Sequence, residues 1–186
     1  MVLADLDTSL IALTQSTIPS VAGPTRLRLP DLLHATDRAA EDVLSGDYDH
    51  LLPPGGVPAD ERWFTRIHGD GEIDIWLISW VPDHATELHD HGGSLGALTL
   101  LSGSLDEFRW DGERLRRRRI DAGDQASFPL GWVHDVVWAE TDGPAGTTLS
   151  VHAYSPPLTA MSYYEVTERN TLRRRRTELT DEPEGR

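Results

Sequence analysis

His89 and His91, two residues apart, are the first place in this chain where side-chain type and spacing can do chemistry. Successive strand residues face opposite ways, so on a strand both imidazoles leave one face while Asp90 between them points away. That is the arrangement of two neighbouring ligands on one metal ion. His134, which follows Pro129-Leu130-Gly131-Trp132-Val133, is the candidate third ligand from a separate strand. Neutral imidazoles without a carboxylate leave a divalent ion its full charge and, in octahedral geometry, a whole face of open positions for a chelating anion and dioxygen. Glu87 shares that face if the strand extends far enough back, which makes it a fourth or replacement ligand. Further on, alternation puts Ser150, His152 and Tyr154 in file on one strand face, a hydroxyl, an imidazole and a phenol able to fix or relay a proton with Tyr154 at the tip. By spacing alone, the histidine pair also suits a plain polar strand, and the Ser-His-Tyr face a half-exposed surface. His34, His50, His68 and His84 have no spacing that ties them to either group and are expected at the surface or in structural roles.

The elements that must carry these residues are mostly strands. Segments 62–68, 72–80, 95–101, 105–110, 115–120, 125–128, 133–139, 147–154 and 163–167 are short, rich in Val, Ile, Trp, Tyr or Thr, and separated by Gly, Asp or Pro. Such spacing predicts an all-β barrel or sandwich, and no helix-length amphipathic stretch between them supports βαβ units. Before them lie two helical patterns, 3–17 and 30–44, ended by the cluster Pro53-Pro54-Gly55-Gly56. The expected organisation is therefore an N-terminal helical segment over 1–58, a barrel over 59–178 and a polar tail over 179–186.

Composition narrows the chemistry. The chain has 186 residues, 31 acidic against 17 basic, and no cysteine, so thiolate metal sites, disulfides and a cysteine nucleophile are excluded. Any metal sits on His, carboxylate or carbonyl. A formal charge of -14 repels nucleic acid and anionic lipid over most of the surface. Every basic residue is Arg, and two runs, 116–119 and 173–176, read as strand edges neutralised by nearby acids such as Asp111, Asp121 and Glu178. No apolar stretch is long enough for a transmembrane span and the first residues are acidic, so a cytoplasmic address is expected, with a monomer as the default.

The segments around His89 and His91 (with Gly96 and Gly103) and around His134 (with Gly123, Pro129, Gly131 and Trp138) resemble the two motifs of the cupin superfamily. The resemblance implies a double-stranded β-helix or jelly-roll barrel with an ion in its mouth. It departs at Gly96, where many cupins have a ligand Glu, and at Trp138, where Asn is usual. Phe64-Thr65-Arg66, Trp80, Gly103-Ser104-Leu105 and the run Ser150-Val151-His152-Ala153-Tyr154-Ser155-Pro156-Pro157 narrow the resemblance to the cysteine dioxygenase or thiol dioxygenase family over about residues 60–167. It implies Fe(II) on His89, His91 and His134, a substrate carboxylate on Arg66, a Ser150-His152-Tyr154 file serving the reaction, and a cis Ser155-Pro156 bond.

Gly96 stands where many animal members carry a Cys crosslinked to the Tyr, so this chain resembles the bacterial branch. Phe64 stands where the family often has Tyr. Arg66 favours cysteine, since relatives acting on thiol acids without an amino group tend to have Gln there, and only a guanidinium grips a carboxylate through two parallel hydrogen bonds. The ordinary alternative for Arg66 is a surface ion pair with Asp70 or Glu72. The expected function is oxidation of L-cysteine to cysteine sulfinic acid with O2, with 3-mercaptopropionate or another small thiol acid as the competing substrate. A non-catalytic metal-binding cupin is the alternative of a different class.

Overall fold

The computed structural model describes residues 27–82, 86–141 and 146–183. The helical pattern at 3–17 and His84 lie outside the described residues. The helix expected at 30–44 is α1 (Leu29–Leu44), entered through Pro30 and a backbone N–H of Arg28 that donates to Asp31 Oδ2 at 2.7 Å. It stops at Gly46, whose φ of +87° suits the left-handed turn that closes a helix. Among the described residues no helix is long and apolar enough to cross a membrane.

The strands are β1 (Phe64–Gly69), β2 (Asp74–Trp80), β3 (His89–Asp90), β4 (Leu95–Ser102), β5 (Ser104–Trp110), β6 (Leu115–Asp121), β7 (Gln125–Phe128), β8 (His134–Trp138), β9 (Thr148–Ser155), β10 (Ala160–Val166) and β11 (Leu172–Leu179). They form two antiparallel sheets, ordered β1-β2-β9-β4-β7 and β11-β10-β3-β8-β5-β6. This is the expected all-β jelly-roll architecture of a double-stranded β-helix, with one helix packed on its outside.

Strand β2 explains how the layers are specified. It is buried along its whole length, because it faces apolar surroundings on both sides. Trp76, Ile78 and Trp80 point inward with Leu98, Leu100, Phe128 and Tyr154, while Ile75 and Leu77 point outward onto Leu32, Ala39 and Ala40 of α1. Polar bonds fix the helix as well: Thr99 Oγ1 donates to Thr36 Oγ1 at 2.9 Å and Gln125 Nε2 to the Leu33 carbonyl at 2.8 Å. Gly103 turns β4 into β5 with φ +76°, and a Cβ there would lie 2.0 Å from Thr148 Oγ1, so no larger residue fits.

Both arginine runs lie on edge strands of the six-stranded sheet, β6 and β11. On β6, Arg116 pairs with Asp111, Arg117 with Asp106 (2.8 Å), Arg118 with Glu107 (3.0 Å) and Arg119 with Asp121 (3.1 Å). On β11, Arg173 and Arg175 hold Glu165, and Arg176 holds Glu87 and Glu178. Strand β11 continues through Leu179, which pairs with Ala160, and Thr180 N–H donates to the Thr159 carbonyl, so the start of the segment read as a tail is ordered by backbone pairing.

Candidate functional site

Two strands of the six-stranded sheet and the residue following one of them bring the three expected histidines together. His89 on β3 pairs in register with His134 on β8, and His91 follows directly after β3. Ring centroids lie 4.9 Å apart for His89 and His134 and 5.2 Å apart for each pair involving His91. All three are buried, and one nitrogen from each lies within 4.8 Å of the others.

The donor chemistry fits a metal. His89 Nδ1 lies 2.6 Å from the Glu87 carbonyl, which can only accept, so this nitrogen carries the proton and Nε2 the lone pair. His134 Nδ1 likewise donates to Glu107 Oε1 at 3.2 Å. Glu107 also accepts from Trp132 Nε1 at 2.9 Å and pairs with Arg118. Burial pushes its carboxyl up, but His134, Trp132 and Arg118 outweigh that and hold it below the usual carboxylate range, ionised and able to orient the imidazole. Sequence reasoning missed Glu107. The available signal was its place on β5 two residues after inward-facing Leu105, where a buried acid needs a buried partner.

Glu87 is corrected as a ligand candidate. Its side chain is exposed and turned outward, where Arg176 binds both carboxylate oxygens at 2.9 and 2.7 Å. Only its backbone carbonyl serves the histidines. Gly96, which replaces the usual cupin glutamate, leaves no room for one: a Cβ there would lie 2.9 Å from Phe128 Cδ2 and 3.4 Å from His91 Nδ1. The Phe128 ring fills that space, 4.3 Å from the His134 ring centroid. Asp90 points away as expected, accepting from Tyr164 Oη at 2.6 Å and from Gly92 N–H.

Ser150, His152 and Tyr154 share the inward face of β9 and are fully buried. Tyr154 stands beside the histidines, its ring 4.9 Å from His91, and its hydroxyl lies 3.3 Å from His152 Nδ1. Ser150 Oγ accepts from Trp80 Nε1 at 2.8 Å, and the Trp80 ring lies 5.8 Å from His152. The file is thus anchored at its base by an indole and has its phenol at the metal-ligand end. Ser155-Pro156, which follows, is cis.

Arg66 on β1 pairs with Trp76, on the row of β2 that faces inward. Its guanidinium lies 5.0 Å from the Trp76 ring centroid, and Phe64 packs edge-on to the same indole at 5.9 Å. The ion pair with Asp70 or Glu72 does not form. Asp70 instead accepts from Glu72 N–H, Ile73 N–H and His68, and Arg66 makes no ion pair among the described residues. Arg66 is exposed at the wall of a cleft of about 380 Å³ that it shares with His68, Asp70, Asp74 and Pro157. His34, His50 and His68 are exposed, and none of them joins the cluster of His89, His91 and His134.

The family model described as cysteine dioxygenase type I matches residues 58–167. Human cysteine dioxygenase type 1 is 30% identical over 114 residues, covering 53% of this chain and 54% of the human protein. The rat protein of the same name is 32% identical over 114 residues, with the same coverage of both chains. The chain spans about half the length of the curated relatives it matches. Among solved structures, a protein with a double-stranded β-helix domain from Klebsiella pneumoniae is 19% identical with a TM-score of 0.45, covering 58% of this chain and 85% of that one. An RmlC-like cupin from Methanocaldococcus jannaschii is 12% identical with a TM-score of 0.44, covering 53% and 83%.

Proposed function

The chain belongs to the cysteine dioxygenase type I family, and from that premise we propose that it is an Fe(II)-dependent thiol dioxygenase that converts L-cysteine to cysteine sulfinic acid. The observation that carries this reading is the convergence of three buried imidazoles beside the Tyr154 ring, with nitrogens within 4.8 Å of one another. Ferrous iron on His89, His91 and His134 would supply Lewis acidity toward the thiol and the one-electron chemistry that dioxygen needs.

The protein's own part is to bind, orient and keep water out. Arg66 takes the substrate carboxylate at the mouth of the barrel, held in place by the Trp76 ring beneath it. Tyr154 holds a proton at its hydroxyl, with His152 Nδ1 within reach to orient it. Phe128, Leu98 and Ile78 make the inner wall apolar, which strengthens each polar contact made inside it. In the balance, the thiol R–SH and O2 give R–SO2H: the sulfur supplies the electrons that dioxygen accepts and both oxygens end on sulfur. No external reductant enters, in keeping with the absence of any nucleotide-binding motif in the sequence.

The test is direct. Iron-loaded protein supplied with L-cysteine in air is expected to consume one O2 for each sulfinate formed. Oxygen uptake without sulfinate, or no uptake, overturns the assignment. The protein is expected to act as a cytoplasmic enzyme on a small soluble thiol, without nucleic acid or membrane partners.

A further inference from the structure

Alternation along β5 puts Glu107 and Arg109 on the inward row that Leu105 begins. Glu107 is matched by Arg118, but Arg109 makes no ion pair among the described residues. Its guanidinium lies 4.6 Å from the Trp132 ring centroid. That indole is itself fixed, since its Nε1 donates to Glu107 Oε1 at 2.9 Å. Arg109 is thus half-buried and held over a rigid aromatic floor, with its charge unanswered.

The strands on either side sharpen the imbalance. In the β5–β6 ladder Arg109 stands directly opposite Arg116, and on the β8 side it stands opposite His134. Like charges facing each other across a ladder weaken a sheet, and an acid at either place would have relieved the pair. Arg116 donates to Asp111 through Nε alone, and its two terminal nitrogens make no hydrogen bond among the described residues. Asp111 is already shared with the backbone N–H groups of Glu113 and Arg114.

Both arginines line one cleft of about 660 Å³, whose far wall is the edge strand β7. Small-molecule sites fall in a range of about 300–1,000 Å³. The other two guanidinium groups of the cleft are answered, Arg117 by Asp106 and Arg118 by Glu107. On a chain with a formal charge of -14, this cleft therefore keeps a local positive excess centred on Arg109. Ser127 on the β7 wall adds a hydroxyl with no hydrogen bond among the described residues.

We propose that the cleft is a binding site for a small oxyanion of the phosphate or sulfate class, gripped by Arg109 and Arg116 over the Trp132 indole. Such an ion presents several acceptor oxygens at once, which suits two planar guanidinium forks and a hydroxyl. It turns two repelling cations into a chelating pair. The volume exceeds that of a bare oxyanion, so a phosphate monoester and free phosphate are two sources of the same chemistry. None of the three metal-ligand histidines lines the cleft, and the site does not depend on the dioxygenase reading.

The experiment is calorimetric titration of the full chain with inorganic phosphate, sulfate and sn-glycerol 3-phosphate at low, fixed ionic strength. Saturable binding of at least one of them at one site per chain is expected, with a Kd below about 1 mM. The tightest of the three identifies the source, and binding of none overturns the proposal. Arg109→Gln is expected to weaken binding about tenfold or more. Arg175→Gln removes the same charge at the opposite edge of the sheet and is expected to stay within about twofold of wild type, because distant charges are screened. Equal losses in the two variants mean diffuse charge attraction and overturn the site, as does an Arg109→Gln protein that binds like wild type.

A third variant carries the opposite sign, so misfolding cannot imitate its result. Asp111→Asn removes the carboxylate that competes for Arg116 and is expected to tighten binding about threefold or more. Unchanged or weaker binding by Asp111→Asn overturns the pairing of Arg116 with the anion.

Discussion

At the scale of single residues, the site depends on groups that fix protons. Glu107 makes His134 a one-tautomer ligand by accepting from its Nδ1, and it is itself held by Trp132 and Arg118. Replacing Glu107 with Gln keeps the size but removes the charge that stabilises the donating imidazole. The expected outcome is metal affinity weaker by roughly 10- to 100-fold, read by competition with a chelator. The fold should survive, because Trp132 Nε1 can still donate to the amide oxygen. Tyr154 acts on the other side. Tyr154→Phe keeps the ring against His91 and removes only the hydroxyl near His152. Turnover is expected to fall by roughly 10²-fold, with KM little changed and metal content intact. A change confined to KM would instead assign the hydroxyl to substrate binding.

At the scale of elements, the outer face of the five-stranded sheet depends on α1. Leu32 is fully buried against Ile75, Leu77 and Val151, so Leu32→Ala leaves a cavity there that the rigid sheet cannot close. A loss of about 2–5 kcal/mol is expected, measured by denaturant unfolding, while the inner wall and metal affinity stay as they were. The same elements show what a sequence reveals about its fold. Strands such as β2, β4 and β9 were legible because β-branched and aromatic residues run between turn residues. The histidine pair and the Ser-His-Tyr file were legible because strand alternation fixes which side chains share a face. Strand β3 was not legible as an element, since it has two residues and is held by its pairing with β8 and β10. Strand β11 carries no apolar alternation, because its arginines are matched by acids on neighbouring strands and not by a core. Glu107 and Asp74 escaped notice for a related reason. A lone acid in a strand looks like surface until its neighbours across the sheet are known.

At the scale of the whole molecule, charge is arranged so that most of it is settled locally. Most arginines of the β6 and β11 runs lie over carboxylates, and Arg174 lies on the Tyr164 phenol, so much of their charge is matched by close neighbours. Asp111, Asp121 and Glu165 are held below the usual carboxylate range, Asp111 and Glu165 chiefly by their arginines and Asp121 chiefly by Ser104 and then Arg119. Stability from these exposed contacts is present above the ordinary carboxylate pKa and lost as pH falls through their depressed values, and solvent screening keeps it small.

Asp74 runs the other way. Its pKa is raised by burial, offset in part by the Trp76 indole, the Leu158 backbone and the Arg66 guanidinium, with the Tyr154 phenol opposite on β9. The folded state therefore holds the Asp74 proton more tightly than the unfolded chain does. Stability is penalised as pH rises from the ordinary value of 3.8 toward the raised one, and the penalty is full above it. Asp74→Asn removes that penalty. Thermal unfolding of ligand-free protein is expected to show the variant with the higher Tm near neutral pH, and the gap is expected to close as pH falls below 3.8. A variant less stable than wild type at neutral pH would mean that the Trp76 indole, the Leu158 backbone and Arg66 stabilise the carboxylate by more than burial costs it.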